Sequence, residues 1–290
     1  MPIAALALPF VLIWTSAFPA AKLGLLDSPP LLFLSVRFLI AGALLMAWSA
    51  LRGDLRWPKG REWWVLLVLG WCNHSLYLGL SWTGMGSLSS GLATILISAN
   101  PIVVAALSAW WLKEPLSRIK WLGLCLGFAG VAFIVRSRVG GPADSLHGFI
   151  LVLLALFTLA SGTVFYKKYP VHMGVVAATG FQIVLSGVTL LPLALWMEPW
   201  SAMQFTPRFG YSLAWMVLVV SIAGYLLWFN MLEKGTASAA SVWLFLTPPL
   251  GLLAGYWLLD EPLHPLDFLG IVPVVLGIAL VTRADPSPPV

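Results

Sequence analysis

Charge is what this sequence has least of. Only 9% of its residues are Asp, Glu, Lys or Arg, whereas an ordinary soluble domain carries roughly 25%, so a normally solvated surface cannot be covered. That shortage, with 60% hydrophobic residues and a mean hydropathy of +0.94, excludes a soluble enzyme, a disordered chain and a nucleic-acid-binding domain. The net charge of +5 does not restore the last, because the basic residues lie in short clusters between apolar runs and not along one face. Cysteine is nearly absent too. Cys72 and Cys125 each sit inside an apolar run, which argues against a disulfide framework or a zinc site. There is no Walker loop, no metal-binding His pair and no Gly-x-Ser-x-Gly elbow. ATP-driven transport within the chain is therefore unsupported, and no cofactor or metal is expected. What the chain has in quantity is Trp and Gly, 16 and 26 of them, both frequent in membrane helices and at their edges. It reads as an all-α integral membrane protein.

A hydrocarbon core about 30 Å thick takes about 20 helical residues to cross. The charge-poor runs supply ten such segments, roughly 3–25, 31–51, 63–82, 87–112, 119–136, 147–167, 174–197, 209–231, 236–259 and 266–283. From Trp63 to Leu112 there is no Asp, Glu, Lys or Arg in 50 residues. One crossing cannot use so many, and Gly84-Met85-Gly86-Ser87 offers a turn near the middle. The runs are continuous and not alternating, which excludes a β-barrel. The first lacks a basic leader and a small-residue cleavage site, so it reads as a helix and not a signal peptide. With both termini in the cytoplasm, eleven basic residues face inward: Arg52, Arg56, Lys59, Arg61, Lys113, Arg118, Lys120, Lys167, Lys168, Lys234 and Arg283. Four face outward: Lys22, Arg136, Arg138 and Arg208. This positive-inside bias sets the expected orientation.

The chain also resembles itself. Trp110-Trp111-Leu112-Lys113-Glu114-Pro115-Leu116 returns as Trp257-Leu258-Leu259-Asp260-Glu261-Pro262-Leu263, a shift of 147. The same shift pairs Ala93 with Ala240, Pro101 with Pro248, Gly123 with Gly270, Gly130 with Gly277 and Arg136 with Arg283. A shift of 145 pairs Ser16 with Ser161, Lys22 with Lys167, Arg37 with Gln182 and Gly42 with Gly187. Two units are expected, 1–140 and 145–290, each with five crossings. An odd number forces the second to enter the membrane inverted. The loop charges agree: the first Glu-Pro-Leu turn carries Lys113, Arg118 and Lys120, and its twin carries Asp260, Glu261 and Asp267. Inverted repeats are typical of carriers that alternate access around a midplane site.

The pattern Ser89-Ser90-Gly91-Leu92-Ala93, Asn100-Pro101 and Lys113-Glu114-Pro115-Leu116-Ser117, with its second copy, resembles the EamA-type transporters of the drug/metabolite transporter superfamily. Trp14-Thr15-Ser16 followed by Lys22, and Arg37-Phe38 in the second run, are similar to that family as well. The resemblance covers nearly the whole chain and implies a secondary, ATP-independent exporter of the bacterial inner membrane. Bacterial amino-acid exporters, aromatic amino-acid exporters among them, are the nearest resemblance within it. The motifs identify the carrier fold far better than the substrate.

Pro101 and Pro248-Pro249 fall near the middle of the fourth and ninth runs. Proline removes a backbone donor and disturbs the carbonyl four residues earlier, here Ile97, Leu244 and Phe245. Freed carbonyls at membrane depth are tolerated inside protein or beside a wet cavity, and matched breaks in two halves point to a binding site; a packing kink is the compatible, plainer reading. His74 stands in the third run with Asn73 beside it and Tyr77 one turn on, and an ionisable side chain within a span is a functional hypothesis by default. Ser221, Tyr225 and Trp228 form a matching stripe in the eighth run, which is equally open to a packing role. Arg37 is expected about two turns below the external surface, within snorkelling reach; it could attract a substrate carboxylate, and anchoring its helix is the favoured reading. Gly123-x-x-x-Gly127 and Gly251-x-x-x-Gly255 read as close-packing motifs.

The expected substrate is a small zwitterion. Asn73, His74, Ser98, Asn100 and Thr247 would serve its carboxylate, the loosened carbonyls its ammonium, and Tyr77, Tyr225 and Trp243 would line the site. All eleven Asp and Glu fall at run ends or in loops, so proton coupling, if any, would pass through His74, which ordinarily titrates near neutral pH. Partners beyond the small-molecule substrate are the lipid bilayer and no nucleic acid; a monomer is compatible. Other readings stay open here: a carrier for another metabolite class such as nucleotide sugars, a channel, or an intramembrane serine hydrolase using Ser89 or Ser90 with His74.

Overall fold

The computed structural model describes residues 3–88, 90–136, 145–259 and 265–284. Expectations resting on Ser89, Arg138, Asp144, the second Glu-Pro-Leu turn from Asp260 to Leu263, Asp285, and the side chains of Ser90 and Asp267 lie outside the described residues.

Where charge is scarce the chain is helical, because a backbone in lipid must satisfy its own N–H and C=O groups. Ten helical segments follow in order: α1 (Ile3–Gly24), α2 (Pro30–Leu51), α3 (61–85), α4 (90–111), α5 (Arg118–Val135), α6 (Leu146–Lys168), α7 (Val175–Met197), α8 (207–234), α9 (237–259) and α10 (265–283). Their ends differ from the charge-poor runs by at most three residues. Seven described helices are long and apolar enough to cross a membrane. Among the rest, α3 is made more polar by Asn73, His74, Ser75 and Ser81, and the apolar part of α10, Phe268–Arg283, is shorter. Side-chain caps start four segments: Ser117 accepts from the Lys120 N–H, Ser145 from Gly148, Thr206 from Phe209 and Thr236 from Ala239, satisfying donors that a first turn leaves free.

The packing repeats itself under exchange of the two halves. The most extensive helix pairs are α2 with α7 and α5 with α10. The contact of α3 with α6 has its counterpart in α8 with α1, and that of α4 with α6 in α9 with α1. Likewise α3 on α7 is answered by α8 on α2. Glycines show the same exchange at atomic scale. A Cβ placed on Gly123 would lie 2.8 Å from the Gly277 carbonyl, and one on Gly130 would lie 2.6 Å from the Gly270 carbonyl. A Cβ on Gly42 would meet the Val184 backbone nitrogen at 2.7 Å, and one on Gly187 the Leu39 nitrogen at 2.9 Å. Since 39 and 184 are matched positions, both pairs of approaches are the same contact seen from each repeat. Helices in lipid lack a hydrophobic drive toward each other, so such small-residue crossings are what let them pack. Gly127 also packs closely, beneath the Phe245 ring. Gly251 does not: no described atom lies within 4 Å of where its Cβ would be, so the expected close packing is not seen at Gly251 among the described residues, and the side-chain position of Gly255 lies outside them.

Polar contacts join the halves at both ends of the bundle. At one end Asp27 receives the Arg208 guanidinium (Nε 2.9 Å) and the Thr206 hydroxyl (2.6 Å), while its carbonyl accepts from the Gln204 N–H. Those donors hold the Asp27 carboxyl down at about 2. Beside it the Glu198 carboxylate accepts from the N–H groups of Leu31 (3.0 Å) and Leu32 (2.8 Å), a favourable place for an anion at the start of α2. At the other end Glu114 accepts from the Ala237 N–H (3.1 Å) and the Ser238 hydroxyl (2.9 Å), capping α9.

Candidate functional site

Two matched helices lose their regular winding halfway along. In α3, Trp71–Ser75 is π-helical, and in α8 the stretch Met216–Gly224 is π-helical. The shift of 147 carries 71–75 onto 218–222, inside the second stretch. Such widened turns occur mostly where a helix serves a function. The cause in α3 is visible: the Ser186 hydroxyl of α7 donates to the Gly70 carbonyl at 2.7 Å, and the Ser75 hydroxyl donates back to the Ser186 carbonyl at 3.1 Å. Side chains thus enter the ladder from a neighbouring helix. The Asn73 carbonyl is then taken by the Tyr225 hydroxyl of α8, at 3.2 Å.

His74 sits at the heart of this junction, fully buried. Its ring lies edge-on to Tyr225, with centroids 4.2 Å apart, and 5.6 Å from Phe38. Among the described residues neither ring nitrogen has a hydrogen-bond partner, and neither does the side-chain oxygen of Asn73; the Asn73 NH₂ donates to the Leu69 carbonyl. Tyr77 is buried one turn further on.

Arg37 completes the group. Its side chain does not snorkel to the surface: the residue is 1% exposed and its Nε donates to Ser221 of α8 at 2.7 Å. Tyr77 and Tyr225 lie within its electrostatic reach. The expected reach toward the surface gives way here, because a partner on another helix holds the guanidinium inward; the bond to Ser221 is compatible with anchoring and leaves the carboxylate reading open.

The second group stands where α4 and α9 break. In α4 the helix Ser90–Ser98 stops at Ala99, whose N–H bonds to the Leu96 carbonyl, and a new helix begins at Asn100 with Pro101 in its first turn. In α9 a 3₁₀ stretch, Val242–Leu246, precedes a helix that opens with Thr247, Pro248 and Pro249. Proline lacks the N–H that the Ile97, Leu244 and Phe245 carbonyls would ordinarily meet. Ser98 and Asn100 are buried. Both amide atoms of Asn100, the indole nitrogen of Trp243 and the Thr247 hydroxyl are buried without a partner.

Arg37, Asn73, His74, Tyr77 and Tyr225 are therefore brought together at the α2–α3–α8 junction, and Ser98, Asn100, Trp243 and Thr247 line the two breaks. Trp243 joins the groups, packing against the apolar cluster that holds Tyr77 and Tyr225 and against the one that holds Phe245. Native interiors leave only a few buried polar groups unpaired, so orphans gathered at matched irregularities point to a polar ligand. Four further orphans were not singled out from sequence: Thr15, Ser108, Thr179 and Gln182, the last with both amide atoms unpartnered. The signal for Gln182 was present, since it is the repeat counterpart of Arg37. No group of three or more His, Cys, Asp or Glu among the described residues could hold a metal ion, and His74 has no described hydroxyl to activate as a nucleophile.

Comparison with known proteins agrees with this architecture. The chain matches the EamA-like transporter family twice, over residues 1–136 and 146–283. It is 34% identical to the "Uncharacterized transporter YvbV" of Bacillus subtilis (strain 168), over 96% of this chain and 90% of that protein. It is 27% identical to "Protein PecM" of Dickeya dadantii (strain 3937), over 93% and 88%. It is 28% identical to a "Probable amino-acid metabolite efflux pump" of Salmonella typhimurium (strain LT2), over 94% and 92%. A solved crystal structure superposes with a TM-score of 0.81 over 98% of this chain and 97% of the other, at 18% identity, a likeness that shows the fold alone.

Proposed function

The chain belongs to the EamA-like transporter family, and from that premise we propose that it exports amino acids, aromatic ones included, across the bacterial inner membrane without ATP. Its two units, 1–140 and 145–290, lie inverted in the bilayer with both termini in the cytoplasm, and access to a site between them alternates. The observation that carries this reading is the pair of matched π-helical turns and matched proline breaks, lined by buried polar atoms without partners. Carbonyls at the breaks accept from a substrate ammonium, and Tyr77, Tyr225 and Trp243 offer apolar surface to its side chain. Apart from Arg37 the site offers neutral dipoles, which compensate desolvation of a zwitterion only in part, and that suits an exporter that acts when the internal pool rises. The efflux-pump relative supports the substrate class, and the YvbV and PecM relatives are neutral to it.

Counterflow in proteoliposomes tests it. Labelled phenylalanine exchanges with unlabelled phenylalanine, leucine or tryptophan; no exchange of any amino acid overturns the reading. A pH gradient across the same vesicles separates facilitative from proton-linked transport. For the inversion, single cysteines at Arg118 and Leu266, both exposed, label from opposite sides, and labelling from one side contradicts it.

A further inference from the structure

We propose that Arg37 is a carboxylate anchor, so that the carrier selects substrates by a free carboxylate and rejects amines and amides that lack one. This rests on the carrier reading for its biological meaning, but its chemistry stands on the site alone. An arginine inside a membrane bundle is costly and faces a partner or a functional cavity. Arg37 is 1% exposed, and its single hydrogen bond among the described residues uses Nε, to Ser221. The two terminal nitrogens of the guanidinium fork, the pair that grips a carboxylate side by side, bond to no described group.

No described carboxylate neutralises it. Each carboxylate side chain among the described residues is engaged elsewhere: Asp27 by Arg208, Glu198 by the start of α2, Asp54 by Ser49 and Arg52, Glu62 by Arg56, Glu114 by the start of α9, and Glu233 by Tyr166. A buried cation without a counterion is destabilising, and a ligand that brings the anion removes the penalty. The surroundings favour that ligand further. The Phe38 ring centre lies 5.5 Å from the guanidinium carbon and Arg37 is 1% exposed, an interior in which an ion pair is stronger than in water.

The repeat supplies a direction. The matched position on α7 holds Gln182, buried and neutral, with both amide atoms unpartnered. Charge therefore stands at one of the two matched positions only. The carboxylate end of a substrate goes to α2. Ser221 acts as a positioning residue, fixing the fork through Nε.

The test is competition binding on the full-length protein in micelles, with labelled phenylalanine displaced by phenylacetate, phenylalanine amide, phenethylamine or inorganic phosphate. Phenylacetate displaces it; the amide and the amine need at least tenfold higher concentration, and phosphate competes poorly. Arg37→Gln lowers phenylalanine affinity at least tenfold and loses the preference for acid over amide. Arg37→Lys recovers part of both, and Ser221→Ala costs less than Arg37→Gln. An amide as tight as the acid, a phosphate as tight as phenylacetate, no binding of phenylalanine at all, or a folded Arg37→Gln protein within twofold of wild type overturns the proposal. If Arg37→Gln does not fold, the acid-against-amide preference of the wild type decides alone. Failure of the carrier reading looks different: carboxylate-selective binding with no counterflow overturns transport and leaves the anchor, whereas equal counterflow of acid and amide overturns the anchor and leaves transport.

Discussion

Gly42 and Gly187 stand at matched positions of the two repeats and play the same part, each letting its helix lean on the backbone of the other. Arg37 and Gln182, on the same two helices, also match and play different parts: one is a buried cation held by Ser221, the other a neutral amide with no partner. The third and eighth helices repeat the lesson. Both widen into π turns, yet His74 in one answers to Ser221 in the other. Backbone geometry is held symmetric, as an alternating carrier requires of halves that must exchange roles. Chemistry is held asymmetric, which fits the proposed substrate with two different ends.

Breaking the shared geometry has the largest expected effect. Gly277→Leu forces a Cβ to within 2.5 Å of the Gly123 carbonyl and 2.6 Å of the Gly127 nitrogen, and overpacking of that kind costs about 3 kcal/mol or more. The measurement is the monodisperse fraction after extraction in mild detergent, which should collapse. Next comes the site itself. Arg37→Gln makes the two repeats alike at this position, and counterflow of phenylalanine should fall at least tenfold while the melting temperature holds; unchanged counterflow would show that the asymmetry is decorative.

Much of the symmetric half of this comparison was legible in the sequence. The ten helical segments follow from where charge is absent, and that absence is itself what allows a helix to be buried in lipid. The proline breaks were readable because a missing N–H is a local fact. The π turn of α3 was not, since it is met by hydrogen bonds from Ser186 and Tyr225 on other helices. Arg37 was misjudged for the same reason: the depth of a long side chain depends on whether a partner such as Ser221 waits across the interface. Gly251 shows the converse, a small-residue motif with no described atom within contact of its first glycine.

The polar connections at the ends sharpen the comparison at a smaller scale. The Asp27 carboxyl is held at about 2 by Arg208 and Thr206, below the usual value of about 3.9. A depressed folded value means that the stabilisation is fully present above about pH 4 and is lost as the pH falls through about 2. Arg208→Gln should therefore flatten the fall in melting temperature between pH 4 and 2, and an identical profile would contradict the ion pair. Tyr225→Phe removes the bond to the Asn73 carbonyl and should cost about 1 kcal/mol, read as a modest drop in melting temperature with the fold intact. Smallest of all, Gly251→Ala meets open space and should leave stability unchanged or raise it by about 0.5 kcal/mol.

Alternating access at the helix breaks is the central claim, and Ser98 is the place to test it. In a protein with Cys72 and Cys125 replaced, Ser98→Cys puts one thiol of similar size beside the α4 break. Purified protein in oriented proteoliposomes is treated with a membrane-impermeant thiol reagent applied to one side at a time, with and without saturating phenylalanine on the opposite side. The account predicts that the thiol is reached from either side, that phenylalanine shifts which side reaches it faster, and that modification stops counterflow. A thiol reached from one side only, whatever substrate gradient is imposed, would contradict it.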